Sequence, residues 1–189
     1  MDVEEARQTI EKRLTEKRYR HSLGVSETAG VLADRFGANR DQAKLAGMLH
    51  DACKCLPDEQ LAAVLSKHPD AACDFLCYSP KLWHAPAGAL FASETCAVAD
   101  QAVLNAILYH TTGRAGMDRL EKIIFVADYI EPGRDFSGVE TVREAALTNL
   151  DQAVFLELKQ TIAHLLSQNE RVYPKTFEAY NDLAITIQR

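Results

Sequence analysis

The interpretation of the whole sequence starts from one stretch, Lys44-Leu45-Ala46-Gly47-Met48-Leu49-His50-Asp51-Ala52-Cys53-Lys54. An apolar helical run ends here in an imidazole and a carboxylate, side by side at His50 and Asp51. Neighbouring side chains on a helix point about 100° apart, so both can reach one metal ion only if it lies at the end of the helix. A carboxylate can also bridge two cations, which an imidazole cannot do. Because a histidine-aspartate pair is common by chance, a metal site is indicated only if the chain offers further ligands.

Three more histidines and one aspartate lie in similar settings. His21 lies near the start of a predicted helix, His84 in a predicted loop, and His110 at the end of another helix. Asp128 lies alone in the apolar run 124–130, where an ionised carboxylate is costly unless it is paired or bound to a cation. The alternative is a half-exposed aspartate on the wet face of an amphipathic helix.

Four imidazoles and two carboxylates suit iron, manganese, cobalt or zinc better than copper(I). More than four ligands also argue against a closed structural zinc site. The set fits either one open octahedral ion with flanking catalytic histidines or two ions bridged by Asp51. Either arrangement lowers the pKa of bound water and supplies a nucleophile near neutral pH. The remaining histidines, His68 and His164, are interpreted as structural or solvent-facing.

The composition indicates which broad classes of protein the chain can belong to. The 189 residues predict a single domain over residues 1–189, with 47% hydrophobic and 25% charged residues. A net charge of -6 argues against broad nucleic-acid binding, and no stretch is long enough for a membrane span. The five cysteines, without a secretion signal, indicate reduced thiols in the cytoplasm and favour small buried core residues over zinc ligands.

Nearly the whole chain is typical of helix, with apolar residues at i, i+3 and i+4 spacing and no strand alternation. Asn39 and Asp100 are expected N-caps, Gly37 a C-cap, and Pro57 a first-turn residue. The predicted helices cover residues 3–14, 20–36, 40–51, 57–68, 87–96, 101–110, 117–130, 139–149, 152–168 and 174–189, with a loop at 80–86.

The order His21, His50-Asp51, Asp128 resembles the HD superfamily of metal-dependent phosphohydrolases, with His84 and His110 at the intermediate positions of its longer-motif members. The chain is similar, more closely, to the bacterial YqeK family of symmetrical bis(5'-nucleosyl)-tetraphosphatases over about residues 10–185. The matching blocks are Arg20-His21-Ser22-Leu23-Gly24-Val25, Leu49-His50-Asp51, His110-Thr111-Thr112-Gly113, Ala127-Asp128-Tyr129-Ile130-Glu131-Pro132-Gly133-Arg134 and Arg171-Val172-Tyr173-Pro174-Lys175-Thr176 with Ala179-Tyr180-Asn181.

The resemblance implies an all-α HD fold that binds iron and cleaves diadenosine tetraphosphate into two ADP. Its HD core would cover residues 18–133, and helices at 139–189 would complete the nucleotide pocket. His21, His50, Asp51 and Asp128 would hold the principal metal. His84 and His110 would bind a second metal or contact phosphate, a choice that the sequence leaves open. The expected catalytic set is Asp51, Lys54, His84 and His110.

Phosphate hydrolysis also needs cations that face the phosphoryl oxygens. Lys54 lies one helical turn past His50, and the alternative is a surface lysine. Arg134 follows the turn after Asp128 and could hold a phosphate in bidentate fashion. Thr111 offers donors beside His110, with a helix C-cap as the alternative. We expect His21, Asp51, His84, His110 and Asp128 to contact substrate as well.

A nucleoside site is predicted at residues 171–176. Tyr173 could stack on a base, while Arg171, Lys175 and Thr176 could meet phosphate near a helix N-terminus. The alternative is an ordinary loop whose tyrosine packs into the core.

The sequence therefore predicts a hydrolase that splits diadenosine tetraphosphate symmetrically, by attack of metal-bound water on a phosphate. Its expected ligands are a dinucleoside polyphosphate or ADP, with no nucleic acid or membrane, and a homodimer is left open. The competing hypotheses are another HD-type nucleotidase or phosphodiesterase, and a non-catalytic nucleotide-binding HD module.

Overall fold

The computed structural model describes residues 1–68 and 75–187. These residues form ten α-helices and two short 3-10 turns and contain no β-strand, which confirms the predicted all-α fold. The α-helices are α1 (Val3–Glu11), α2 (Glu16–Phe36), α3 (Arg40–Leu49), α4 (Asp58–Ser66), α5 (His84–Glu94), α6 (Gln101–Tyr109), α7 (Arg119–Ile130), α8 (Val139–Ala146), α9 (Leu150–Ser167) and α10 (Pro174–Ile187).

Local capping chemistry accounts for several helix ends. The side chains of Asn39 and Asp100 accept hydrogen bonds from the first-turn amides of α3 and α6, as predicted. Gly37 ends α2 in the left-handed conformation, with a φ of 68°. Pro57 stands one position earlier than expected, as the residue that precedes α4. α4 ends at Ser66, two residues before its predicted end at His68.

Some predicted boundaries were wrong because a cap was overlooked. α2 begins at Glu16 rather than at residue 20, since the Thr15 side chain accepts a hydrogen bond from a backbone amide of the first turn. α7 begins at Arg119 because Asp118 forms a capping box there. α8 ends early, at Ala146, because Asn149 caps the next helix.

The prediction that His84 lies in a loop was also wrong. A 3-10 turn covers Pro80–Leu82, and α5 begins at His84 itself. Pro86 lies in the first turn of α5, where a missing N–H costs no helical hydrogen bond. The sequence analysis places Pro86 at the end of a loop, but Pro86 occupies a first-turn position, where a helix tolerates proline.

Close packing of α2 on α3 brings the central histidine-aspartate pair toward α2. A Cβ atom added at Gly47 would lie 2.9 Å from the backbone of Ser26. The hydroxyl of Ser26 also donates to the carbonyl of Lys44 at 2.8 Å. The absence of a side chain at residue 47 therefore lets the end of α3 approach α2.

α7 is the central helix of the core. Ile123, Ile124, Phe125, Val126 and Ala127 are all buried, and the helix packs against α2, α3, α6, α8 and α9. The run that carries Asp128 is therefore enclosed by neighbouring helices. No helix within residues 1–68 and 75–187 combines the length and apolar character that a bilayer span requires.

The cysteine prediction was half right. The four described cysteines are free thiols, as expected, and Cys53 and Cys96 are buried. Cys55 and Cys77 are exposed, so burial was predicted correctly for only two of these four cysteines. Cys73 lies outside the described residues.

Candidate functional site

The ends of helices supply most of the predicted ligands. His50 and Asp51 follow the last residue of α3, His110 follows the last residue of α6, and His84 opens α5. His21 lies in the second turn of α2, and Asp128 lies in the last turn of α7. Five helices therefore contribute side chains to one point, although these residues are up to 107 positions apart in the chain.

On one side of this point, nitrogen and oxygen atoms of four side chains lie 2.9–3.9 Å apart in the pairs that contact one another. His21 Nε2 is 2.9 Å from Asp128 Oδ1 and 3.3 Å from His50 Nε2. His50 Nε2 is 3.6 Å from Asp51 Oδ2. The structure thus brings together the four residues that the sequence predicts for a principal metal.

The other oxygen of Asp51 faces the remaining two histidines. Asp51 Oδ1 lies 3.2 Å from His84 Nε2 and 3.8 Å from His110 Nε2. The two histidines lie 3.2 Å apart, Nε2 to Nε2. Asp51 therefore stands between two groups of ligands, as a bridging carboxylate would.

The donor set fits a divalent cation because too few protons are available to satisfy it. His50 Nδ1 donates to the carbonyl of Gly47, and His110 Nδ1 donates to that of Ile107, each at 2.7 Å. These bonds leave each neutral ring with a lone pair on Nε2, directed at other nitrogens and at two carboxylates. A metal ion at the centre would turn these repulsions into ligand bonds.

The protonation states of His84, His110 and Asp51 also suit metal binding, whereas His21, whose pKa is raised, would release a proton when a metal binds. Burial lowers the pKa of His110 to about 3. Burial likewise lowers the pKa of His84. For Asp51, burial opposes ionisation, but His50 and the hydrogen bond from His84 hold the pKa well below its usual range. Neutral imidazoles and ionised carboxylates are the forms that bind metals.

Two predicted cations border the site. Lys54 Nζ lies 3.2 Å from both ring nitrogens of His84, and burial lowers the pKa of this lysine. Arg134 forms an ion pair with Asp128 and also donates to its carbonyl at 2.9 Å. Beside His110, the buried hydroxyl of Thr111 has no hydrogen-bond partner within the described residues.

The side chains of residues 171–176 pack against the protein more closely than those of a surface that is free to stack on a base. Tyr173 is only 3% exposed, and its ring stacks on Phe75 with centroids 4.8 Å apart. Arg171 lies over the ring of Tyr78, and Thr176 is buried. The tyrosine therefore packs into the core, the alternative that the sequence left open, and stacking on a base is not what its ring does here.

Sequence reasoning missed two residues that contact the ligands. Arg18 donates to Asp51 Oδ2 at 3.1 Å. Glu131 accepts from His21 Nδ1 at 3.0 Å and from the Gly133 amide at 2.6 Å. Each lies three residues from a predicted ligand, Arg18 before His21 and Glu131 after Asp128. Helical i, i+3 spacing was therefore a signal that could have identified them.

Comparison with known proteins gives consistent results. The HD domain family profile matches residues 18–133. "Bis(5'-nucleosyl)-tetraphosphatase, symmetrical" of Bacillus subtilis is 45% identical over 96% of this chain and 97% of its own length. The protein of the same name from Halalkalibacterium halodurans is 44% identical over 98% of each chain.

A solved structure is also similar along nearly the whole chain. It is described as a predicted HD superfamily hydrolase involved in NAD metabolism, from Clostridium acetobutylicum. It is 37% identical, covers 97% of each chain and superposes with a TM-score of 0.90.

Proposed function

We propose, because this chain belongs to the HD domain family and within it to the symmetrical bis(5'-nucleosyl)-tetraphosphatases, that it hydrolyses diadenosine tetraphosphate into two ADP. The observation that carries the proposal is the complete ligand cluster around Asp51. A non-catalytic nucleotide-binding module would have no need to retain the buried Asp51 and the partly buried Asp128 among histidines, because a carboxylate that leaves water is costly unless it is paired or bound to a cation.

The metal has a defined set of residues to hold it. His21, His50, Asp51 and Asp128 would bind the principal ion, and His84 and His110 would bind a second ion or contact phosphate. A divalent ion there supplies an activated water and neutralises charge on the phosphates. We assign iron to the site, with manganese, cobalt and zinc as the alternatives that its nitrogen and oxygen donors also accept.

The residues around the metal would position the middle of the polyphosphate. Water forms a bond to one of the two central phosphorus atoms, and the bond from that atom to the oxygen that joins the two central phosphorus atoms breaks. One ADP leaves with that oxygen, the attacked half becomes the second ADP, and the protons of the water pass to solvent. Lys54, held beside His84, directs its ammonium group at the phosphoryl oxygens. Arg134 does the same from the Asp128 side, where burial opposes but the Asp128 charge raises its pKa and keeps it cationic. Both cations stabilise the negative charge that builds up during transfer.

One ADP half would lie against the 171–176 segment. Thr111, with its unsatisfied buried hydroxyl, offers a donor between the centre and this segment. Arg171, Lys175 and Thr176 are the expected phosphate and sugar contacts. Tyr173 contributes by fixing the segment on Phe75, and helix α10 begins directly after it.

Free thiols and this class of substrate support a cytoplasmic location. A homodimer stays open beside a monomer, and light scattering coupled to size-exclusion chromatography distinguishes the two.

The proposed function is tested with anaerobically purified protein, by elemental analysis followed by chromatography of the products from diadenosine tetraphosphate. We expect iron and only ADP. ATP with AMP would exclude symmetrical cleavage, and no turnover would exclude the enzyme. Asp51→Ala is expected to abolish turnover while circular dichroism shows the helical content retained. If Asp51→Ala stays active, Asp51 has no part in the mechanism.

A further inference from the structure

A symmetrical dinucleoside tetraphosphate carries two identical ADP halves, joined at the bond that is cleaved. When that bond lies at the metal centre, the two halves must leave the centre in different directions. The 171–176 segment accounts for one half. A second nucleoside diphosphate therefore needs its own binding surface on another side of the centre.

The two carboxylate oxygens of Asp51 face the two sides of the centre, toward which the two halves of the substrate would extend. Its Oδ1 atom faces His84 and His110, the side on which Lys54 also lies. Its Oδ2 atom faces the other way, toward Arg18 at 3.1 Å and His21 at 3.7 Å. The second ADP half of the bound substrate would therefore extend from the centre along α2.

A cavity lies in that direction. It has a volume of about 780 Å³ and is formed by the first two turns of α2 and by residues 131–136. This volume is within the range of small-molecule sites, roughly 300–1,000 Å³. His21 and Arg134 belong to its wall, so the cavity begins at the metal centre itself.

The wall can bind an anion although acidic side chains also line it. Four basic side chains line the cavity beside three acidic ones. Glu16 is engaged in an ion pair with Arg20 at 2.5 Å, Glu131 is held by two N–H donors, and Asp135 forms no ion pair with any described residue. Lys17 forms no ion pair with any described residue. Its ammonium group is therefore available, next to Arg18, for phosphate oxygens.

An aromatic side chain stands at the far end of the wall. Phe136 is 40% exposed, and its ring is held by Tyr129 in an edge-on contact with centroids 4.9 Å apart. An exposed phenylalanine alone needs no explanation. Here, however, Tyr129 holds the ring in the wall of a cavity that four basic side chains also line. An aromatic ring near basic groups is an arrangement that can stack a base and bind its phosphates.

On the premise of the proposed function, the geometry points to this cavity as the binding site of the second ADP half. Arg18 and Lys17 contact its phosphates, and Phe136 packs against its base. Both halves of the substrate are then recognised, which explains cleavage at the middle of a symmetrical molecule. After the reaction, each product ADP lies in its own site.

The test uses the metal-loaded full-length protein and the variants Phe136→Ala and Lys17→Ala, alone and combined. Arg18 is left intact because it contacts Asp51. We expect the KM for diadenosine tetraphosphate to rise about tenfold for Phe136→Ala, since one aromatic–base contact is lost, with kcat nearly unchanged. ADP binding, followed by calorimetry, should fall from two sites per chain to one in the double variant.

Leu166→Ala and Lys67→Ala serve as matched controls, since they remove an exposed apolar side chain and a lysine outside the cavity. Both should leave KM and the ADP stoichiometry unchanged. The second site is overturned if the wild-type protein binds one ADP, or if the cavity variants keep the wild-type KM. Absence of cleavage by the wild-type protein would instead overturn the proposed function, whatever the ADP stoichiometry.

Discussion

At the scale of single residues, Glu131 fixes the orientation of His21. The ring Nδ1–H donates to Glu131 Oε1 at 3.0 Å, so Nε2 points at Asp128 and the metal centre. Burial lowers the pKa of His21, but the hydrogen bonds to Asp128 and Glu131 outweigh it and raise the pKa overall. A carboxylate behind a ligand histidine also makes that ligand more basic. Glu131 is thus a positioning residue for the metal.

Replacement of Glu131 by glutamine is predicted to lower metal affinity by about 10- to 100-fold, the usual effect of losing such a partner. The amide keeps the size of the side chain but accepts the His21 proton more weakly. Affinity is measured on metal-free protein by competition with a coloured chelator.

Glu121→Gln is the control for Glu131→Gln, because Glu121 is equally buried on α7 but pairs with Arg114, away from the centre. It should lower the melting temperature and leave metal affinity unchanged. Equal metal affinities for wild-type protein and Glu131→Gln would make the His21–Glu131 contact irrelevant to binding.

At the scale of elements, α9 carries a buried carboxyl group that its packing does not satisfy. Glu157 is buried, and its Oε2 atom has no hydrogen-bond partner within the described residues. Burial, together with the negative charge of Asp128 on α7, raises the pKa of Glu157 well above its usual value. The folded state therefore holds a proton that the unfolded chain releases above its ordinary pKa of 4.5.

A raised carboxyl pKa makes stability fall as the pH rises above the unfolded value and through the folded one. Glu157→Gln removes this titration, so its advantage over the wild type should be small near pH 4.5 and grow toward pH 8. Each unit by which a pKa is raised is worth about 1.4 kcal/mol, which corresponds to roughly 3–6 °C in melting temperature for a chain of this size. Thermal melts across this pH range measure the effect. Exposed Glu178→Gln is the control, and a pH-independent difference for Glu157→Gln would contradict the prediction.

At the scale of the whole molecule, the candidate metal centre joins helices that are distant in sequence. Its proposed ligands come from α2, α5, α7 and the ends of α3 and α6. The unfolded chain cannot hold them together, so an ion that binds there stabilises only the folded state. The same site is thus expected to serve both the reaction and the stability of the fold.

Removal of the metal is predicted to lower the melting temperature by about 5–10 °C, since an ion at one hundred times its Kd contributes about 2.7 kcal/mol. The experiment compares the metal-loaded protein before and after chelation and after metal is restored. Asp51→Ala should show little response to the chelator. If chelation leaves the melting temperature of the wild-type protein unchanged, the ion does not stabilise the fold.

The sequence by itself predicted the helical fold and the six side chains, four histidines and two aspartates, that the structure brings together. Helices were predictable because periodicity and caps such as Asn39 and Asp100 act within a few residues. The ligands were recognisable because imidazoles and carboxylates are unusual at apolar helix positions. Boundaries failed where a cap was overlooked, as at Thr15, or where Pro86 was read as part of a loop.

Only the tertiary structure decided how those ligands meet and what surrounds them. The two faces of Asp51, the cavity beside Phe136, the burial of Tyr173 and the unsatisfied Glu157 all depend on packing between segments far apart in the chain. The contact of Gly47 with Ser26 is an example, because it fixes the distance between His50 and His21. Local sequence signals carry no information on such distances, since they arise only when the helices pack together.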